Sequence, residues 1–348
     1  MKFLVGIWSR NNIQHMTKGN IFRISQLREA CRTLQEKVNE ENYEKIDSSP
    51  RFDSILTLPE YYFTRARDHE SAARAMPEDE KDLLILELKK ISLDYPRMLL
   101  IPGTIAFRKP FIRPLSKMLK RGGGLKNLSR NEKLVERLQT DFLNTTFAQE
   151  HRGNKNAINL GASDQLYWLY YALQWIGGDL AKLNHFHIYQ NKAYVLLNGQ
   201  PIFTYEKRVG FFELEGVTTE NQFYAPDSRR NNCIYIGGKK FCFEICFDHH
   251  KGVAKLYTDY EKSRAATSLH SNGAGTVDIS PDFHIVLSDW VPTEKEHIVT
   301  KPGGYFIHAS SMASESTVIQ NGGNGSTTVT PLPITNLDGS PLSIYKVG

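Results

Sequence analysis

Cysteine is scarce in this chain. The four present in 348 residues, Cys31, Cys233, Cys242 and Cys246, are too few and too unevenly spread for a disulfide framework and suit a reducing compartment. No stretch approaches the roughly 18 unbroken apolar residues of a membrane-spanning helix. The opening run Phe3 to Trp8 is followed by Ser9, Arg10 and two asparagines, which reads as a first buried strand rather than a signal peptide. A soluble, cytoplasmic protein is the expectation, although an address read by specialised export machinery would leave no such trace. Charge of one sign is also in short supply: 43 Lys and Arg against 38 Asp and Glu give +5, too mild to argue for a nucleic-acid binder. Internal repeats and low-complexity segments are missing. The 40% hydrophobic and 23% charged composition excludes collagenous and disordered classes and allows a real core.

The early chain alternates in period. Met1 to Trp8 reads as a strand; Ile24, Leu27, Cys31, Leu34 and Val38 then recur at helical spacing. Phe52 to Leu58 is a second β-rich run, ending at Pro59-Glu60. A second helix carries Leu83, Leu84, Leu86 and Leu88 and leads through Pro96 to a strand at Met98 to Ile101. This β-α-β-α-β order favours an α/β layered fold with chemistry at strand ends. Later, Ile188 to Leu197 and Pro201 to Tyr205 flank Asn198-Gly199, a strong hairpin signal. Lys240 to Ile245, His284 to Leu287 and Tyr305 to Ala309 are further buried-strand candidates. Asn321 to Pro333, rich in Gly, Ser, Thr and Pro, is expected as loop and edge strand.

Between these halves the alternation stops. Residues 108 to 133 hold nine basic residues against Glu132 alone, and Gly122 to Gly124 make the segment pliable. An aromatic helix candidate, Leu166 to Ile176, ends at Gly177-Gly178. Residues 108–187 read as an insertion in a single domain spanning 1–348. Two roles stand for it: a lid over a site or a dock for an anionic surface through 108–133, or simply Trp168, Tyr171 and Trp175 packing on the core among solvated lysines. Zinc-finger and RNA-recognition signatures are absent, so no sequence-specific nucleic-acid partner is expected.

Three reactive side chains stand at abrupt strand ends. Glu60 follows Pro59 among Tyr61, Tyr62 and Phe63, surroundings that raise a carboxyl pKa towards that of a general base. Lys207 closes the second strand of the hairpin, where an ammonium can stabilise an oxyanion. Cys246 ends the apolar run Phe241-Cys-Phe-Glu-Ile245, where a thiolate can face a pocket and backbone N–H groups. Taken singly, each type is commoner as a solvated or packed residue. Taken together and in the order Glu, Lys, Cys, the set resembles the nitrilase, or carbon–nitrogen hydrolase, superfamily. The matching runs are Pro59-Glu60-Tyr61-Tyr62-Phe63, Tyr205-Glu206-Lys207 and Glu244-Ile245-Cys246-Phe247-Asp248. Pro102-Gly103-Thr104, Asn191-Lys-Ala-Tyr-Val195 and Gly199 add to the likeness, which covers about residues 1–107 and 188–320. Departures are His249-His250-Lys251-Gly252 after the Cys-x-Asp turn, Ala309-Ser310-Ser311 at the late strand and the large insertion.

The resemblance implies a four-layer α-β-β-α sandwich, a homo-oligomer and a small-molecule amide-like substrate. It implies catalytic Glu60, Lys207 and Cys246, with Glu215 orienting Lys207 and the Phe247 N–H assisting the oxyanion. Tyr61, Tyr62, His249 and Trp290 are expected at the substrate pocket. The implied activity is thiol-dependent hydrolysis of a non-peptide carbon–nitrogen bond, amide before nitrile, with no cofactor. Acyl transfer to an amine, or a non-catalytic protein acting through 108–133, stand as alternatives. A zinc site of Cys242, Cys246, His249 and His250 competes. On a strand the two cysteines stand about 13 Å apart at roughly 3.3 Å per residue, too far to share an ion at about 2.3 Å. A helix would remove that objection, but the composition is β-like, so no metal is expected.

Overall fold

The apolar periods of the first hundred residues become alternating strands and helices in the computed structural model. It describes residues 3–9, 19–41, 52–64, 75–110, 187–208, 222–224, 232–270, 278–332 and 341–348. Strand β1 (Phe3–Trp8) precedes helix α1 (Asn20–Glu40), β2 (Ser54–Thr57), the short β3 (Met76–Pro77), α2 (Glu78–Asp94), β4 (Met98–Ile101) and β5 (Thr104–Pro110). There follow β6 (His187–Leu197), β7 (Gln200–Glu206), β8 (Gln222–Tyr224), β9 (Cys233–Ile236), β10 (Lys239–Ile245), the one-turn α3 (Phe247–His250) and α4 (Val253–His270). The last strands are β11 (Phe283–Ser288), β12 (Tyr305–Ser310), β13 (Thr317–Asn321), β14 (Ser326–Thr328), β15 (Pro331–Leu332) and β16 (Leu342–Val347).

These strands make two mixed sheets. The first runs β15-β16-β1-β2-β4-β6-β5-β3, with β7 and β8 also paired to β6; the second runs β14-β13-β12-β11-β10-β9. Strands β1, β2 and β4 are parallel, as are β10, β11 and β12. Parallel pairing aligns carboxyl ends, so the loops leaving β2 and β4, and those leaving β10 and β11, gather side by side.

Period-2 alternation sorts the side chains. Phe3, Val5 and Ile7 of β1 share one buried core with Phe241, Phe243 and Ile245 of β10 and with Ile285 and Ile307. Leu4 and Trp8 face the other way, joining Leu27, Cys31 and Leu34 of α1 and Leu84, Leu88 and Ile91 of α2. On the far face of the second sheet, Cys233 and Cys242 pack with Ala254 at the start of α4. Burying one side chain of the Leu or Phe class contributes about 1.5–3 kcal/mol, so this double-faced burial is the main stabilising term.

The expected hairpin forms between β6 and β7, with Asn198 at φ 49° and Gly199 at φ 72°, both in the left-handed region. Of the leucines expected on the second helix, Leu84 and Leu88 are buried while Leu83 and Leu86 are exposed. The Gly- and Ser-rich tail forms edge strands on both sheets: β14 closes the second and β15 pairs with β16 at the rim of the first. Beyond it, β16 lies antiparallel to β1 through six residue pairs, an element the sequence reading did not anticipate. Of the expected insertion, 111–186, with most of the basic run and the whole aromatic helix candidate, lies outside the described residues. Among the described residues, no helix is long and apolar enough to cross a membrane.

Candidate active site

Glu60 hangs from the loop that leaves β2. Tyr61 turns that loop with φ 55°, and its N–H donates to Thr104 Oγ1 at 2.8 Å. Gly103, at φ 75°, lies against the same loop so closely that a Cβ there would stand 2.3 Å from the Pro59 carbonyl oxygen. Only glycine accommodates both that dihedral and that approach. The outcome is a fully buried carboxylate held by two donors on one oxygen: Lys207 Nζ at 2.8 Å and Asn191 Nδ2 at 2.7 Å from Oε1.

Lys207 follows β7 directly and is buried with Glu60. Its own N–H donates to the Asn191 carbonyl at 2.9 Å, so β6 fixes both the lysine backbone and the second donor to Glu60. The Tyr61 ring lies beneath the ammonium, with Nζ 5.8 Å from the ring centroid. Stripping two opposite charges of water is expensive, and the direct pair together with the Asn191 amide offsets that cost.

Cys246 occupies the junction of β10 and α3 with φ 51° and ψ −108°, a strained backbone state for a residue with a side chain. Its N–H donates to the Leu287 carbonyl at 2.8 Å and its carbonyl accepts from the His249 N–H at 2.9 Å, which pins both sides of the junction. The thiol bonds to the Glu60 carboxylate and receives the Asp289 N–H. Burial, followed by the negative charge of Glu60, pushes the thiol pKa well above its ordinary value, while the Lys207 charge and the Asp289 N–H pull it back. At neutral pH Cys246 is therefore a thiol beside the Glu60 carboxylate rather than a free-standing thiolate.

Asp248 joins the second and third motifs. Its carboxylate accepts the Tyr205 hydroxyl at 2.7 Å and the Arg208 N–H at 3.1 Å, bracketing Lys207 from the Cys246 turn. This gives the Tyr205-x-Lys207 and Cys246-x-Asp248 spacings a physical meaning: each motif supplies half of one hydrogen-bonded tie.

The other expected site residues divide. Tyr61 and Phe247 adjoin the charged pair and Cys246 respectively. Tyr62 turns away from the Glu60–Lys207 pair: the positive φ at Tyr61 sends it to the helix side of the sheet, where its hydroxyl donates to the Arg23 carbonyl at 3.2 Å. His249 is likewise internal, with Nδ1 2.7 Å from Glu244 Oε2 and Nε2 accepting the Glu294 N–H at 3.2 Å. Trp290, 58% exposed, follows Asp289 directly. Glu215 lies outside the described residues. The four residues weighed as a zinc set are not gathered: Cys242 packs against Cys233 and Ala254, and His250 is an exposed residue beside Glu294. Asn191 and the Asp289 N–H complete the constellation; the asparagine was visible only as part of a hairpin motif, and a backbone donor leaves no mark in a sequence.

No family model matches the chain, and no curated protein matches it in sequence. Among solved structures it is similar to a glutamine-dependent NAD+ synthetase from Acinetobacter baumannii in complex with ADP. That likeness has 10% identity and a TM-score of 0.45 over 99% of this chain and 45% of the synthetase, so the chain spans less than half of that enzyme. It is similar to a CN-hydrolase superfamily protein from Xanthomonas campestris with an arsenic adduct in its active site, at 10% identity and a TM-score of 0.43, over 100% of this chain and 91% of the other. A mutant amidase of the nitrilase superfamily from Nesterenkonia AN1 gives 10% identity and a TM-score of 0.41, over 100% and 90%.

Proposed function

We propose that this protein is a carbon–nitrogen hydrolase of the nitrilase type, an amidase that works through a Cys246 thioester. The observation that carries this reading is the contact between a buried thiol at a strained strand-to-helix junction and a buried carboxylate already bound by Lys207. In the reaction, Glu60 takes the Cys246 proton as sulfur attacks the amide carbonyl carbon. The carbonyl π pair moves to oxygen, where Lys207 and the Phe247 N–H stabilise it, each well-placed donor contributing on the order of 3 kcal/mol. As the C–N bond breaks, the proton on Glu60 passes to the leaving nitrogen, which departs as the amine or ammonia. Water then gives a proton to Glu60 and its oxygen to the thioester carbon. Sulfur leaves with the bonding pair and recovers the proton, which returns the resting pair and releases the acid.

The paired sheets with helices outside them fit a four-layer α-β-β-α sandwich, and residues 108–187 are proposed as a lid over its strand ends. Ammonia release from short aliphatic amides, with the matching nitriles in parallel, tests the activity. Wild type is expected to turn over amides; Glu60→Gln is expected to lose about 10²–10⁴-fold in kcat, the range of general acid–base catalysis. Undiminished turnover by that variant would sink the mechanism.

A further inference from the structure

A second buried polar cluster lies behind the nucleophile. Glu244, two residues before Cys246, is fully enclosed on the far face of the second sheet and is saturated with donors. Its Oε1 accepts the Ala254 N–H at 2.6 Å, and its Oε2 meets His249 Nδ1 at 2.7 Å and His284 Nε2 at 2.8 Å. The donors come from three different elements: Ala254 lies in the first turn of α4, His249 belongs to α3 beyond the nucleophile and His284 sits on β11. The Glu244–His249 bond spans five residues with strained Cys246 between its ends. His297 Nδ1 meets the His249 carbonyl oxygen at 2.7 Å and tightens the same turn from outside.

The ring states follow from the partners. The Glu294 N–H points at His249 Nε2, so that nitrogen carries the lone pair and Nδ1–H donates to Glu244. His284 donates from Nε2, and its buried Nδ1 meets no partner among the described residues, which suits a neutral ring. Ligand atoms of Glu244, His249 and His284 lie within 4.8 Å of one another, the spacing of a metal set. With Nδ1 of His249 protonated, however, that nitrogen has no lone pair to give a cation, and the trio works as a hydrogen-bond clamp.

We infer that Glu244, His249 and His284 are positioning residues that staple β10 to α3 across Cys246 and hold its thiol on Glu60. This rests on the proposed thiol chemistry, so its test needs a readout that requires no substrate. Cys246 alkylation by iodoacetamide, mapped by peptide and followed against pH on folded, monodisperse protein, supplies one. Beside the clamp lie His297, whose Nδ1 meets the His249 carbonyl oxygen, and His308, whose ring centroid is 6.2 Å from that of His249; both are unchanged in the variants.

His249→Leu keeps much of the ring volume and removes the donor; His249→Gln restores an N–H near the same place. His249→Leu is expected to slow Cys246 alkylation at least about 10-fold and displace its pH profile, as is Glu244→Gln, while His249→Gln stays within about 3-fold of wild type. Folded His249→Leu with the wild-type rate and profile overturns the staple. Recovery of His249→Leu and Glu244→Gln only as unfolded protein also overturns it, assigning the cluster to folding alone. Glu60→Gln separates the two readings: if it alters the alkylation profile while the clamp variants do not, the triad stands and the clamp falls. If Glu60→Gln also leaves the profile unchanged, the triad reading fails first.

Discussion

The conformation of Cys246 costs about 1–3 kcal/mol, and it persists because its neighbours leave no alternative. Gly103 plays the matching part under Glu60. In Gly103→Ala the new Cβ meets the Pro59 carbonyl oxygen at 2.3 Å and Tyr62 Cβ at 2.7 Å, on a backbone with φ 75°. Either the glycine turn or the Glu60 loop must shift. A loss of at least about 1–3 kcal/mol is expected in urea unfolding, and kcat should fall in whatever protein remains folded, because the carboxylate moves with Pro59. Wild-type kcat in a stable Gly103→Ala would show that the loop tolerates the displacement. The neighbouring tyrosines show the limit of reading residues singly. Tyr61 and Tyr62 are indistinguishable as letters after Pro-Glu, and a positive φ at the first sends one to the lysine and the other to α1.

At the scale of elements, the site depends on how β7 and α3 are tied. The Tyr205 hydroxyl, buried at the end of β7, donates to an Asp248 carboxylate that also holds the backbone beyond Lys207. Tyr205→Phe deletes the hydroxyl and keeps the ring. One hydrogen bond to a charged group is lost, so stability should fall by about 1.5–3 kcal/mol. Because Lys207 gains freedom relative to Cys246, kcat should decrease more than KM rises. A KM effect alone would place Tyr205 in substrate binding instead. Elements built from local signals were the legible ones: the Asn198-Gly199 hairpin, α1 with its buried stripe, and the strand ends carrying Glu60, Lys207 and Cys246. Those three side chains came under suspicion through the motifs around them, whose combination and order resemble the nitrilase superfamily, and each motif closes a recognisable strand. The pairing of β16 with β1 was not legible, since it joins residues more than 300 positions apart and no local pattern encodes a partner. Glu244 was not legible as an internal residue either. A glutamate between phenylalanine and isoleucine reads as the solvent face of a strand until α4 and β11 close over it.

At the scale of the molecule, the interior behind the second sheet makes the whole fold sensitive to acid. His308 lies between Ser288 Oγ at 2.7 Å and Thr293 Oγ1 at 2.8 Å, and His249, His284 and Glu244 surround it electrostatically. Burial lowers its pKa from 6.5 to about 3 and also lowers that of His284, outweighing the attraction of Glu244 for a charged His284 ring. Below pH 6.5 the unfolded chain binds protons at these positions that the folded chain refuses, so stability declines as pH falls. One pKa unit corresponds to about 1.4 kcal/mol, which makes the His308 contribution on the order of 2 kcal/mol by pH 5. Glu244 adds to the decline at still lower pH. Although its burial alone would raise the pKa, its two histidine partners hold it well below 4.5, so protonation below pH 4.5 also favours the unfolded chain. Urea midpoints should therefore be flat from pH 8 to 7 and fall progressively below about 6.5. In His308→Gln, which retains a side chain able to donate and accept between Ser288 and Thr293, the fall between pH 6.5 and 5 should be shallower. A wild-type midpoint that stays level to pH 5 would mean that these histidines take up protons in the folded state, with the interior rearranging to admit their charge.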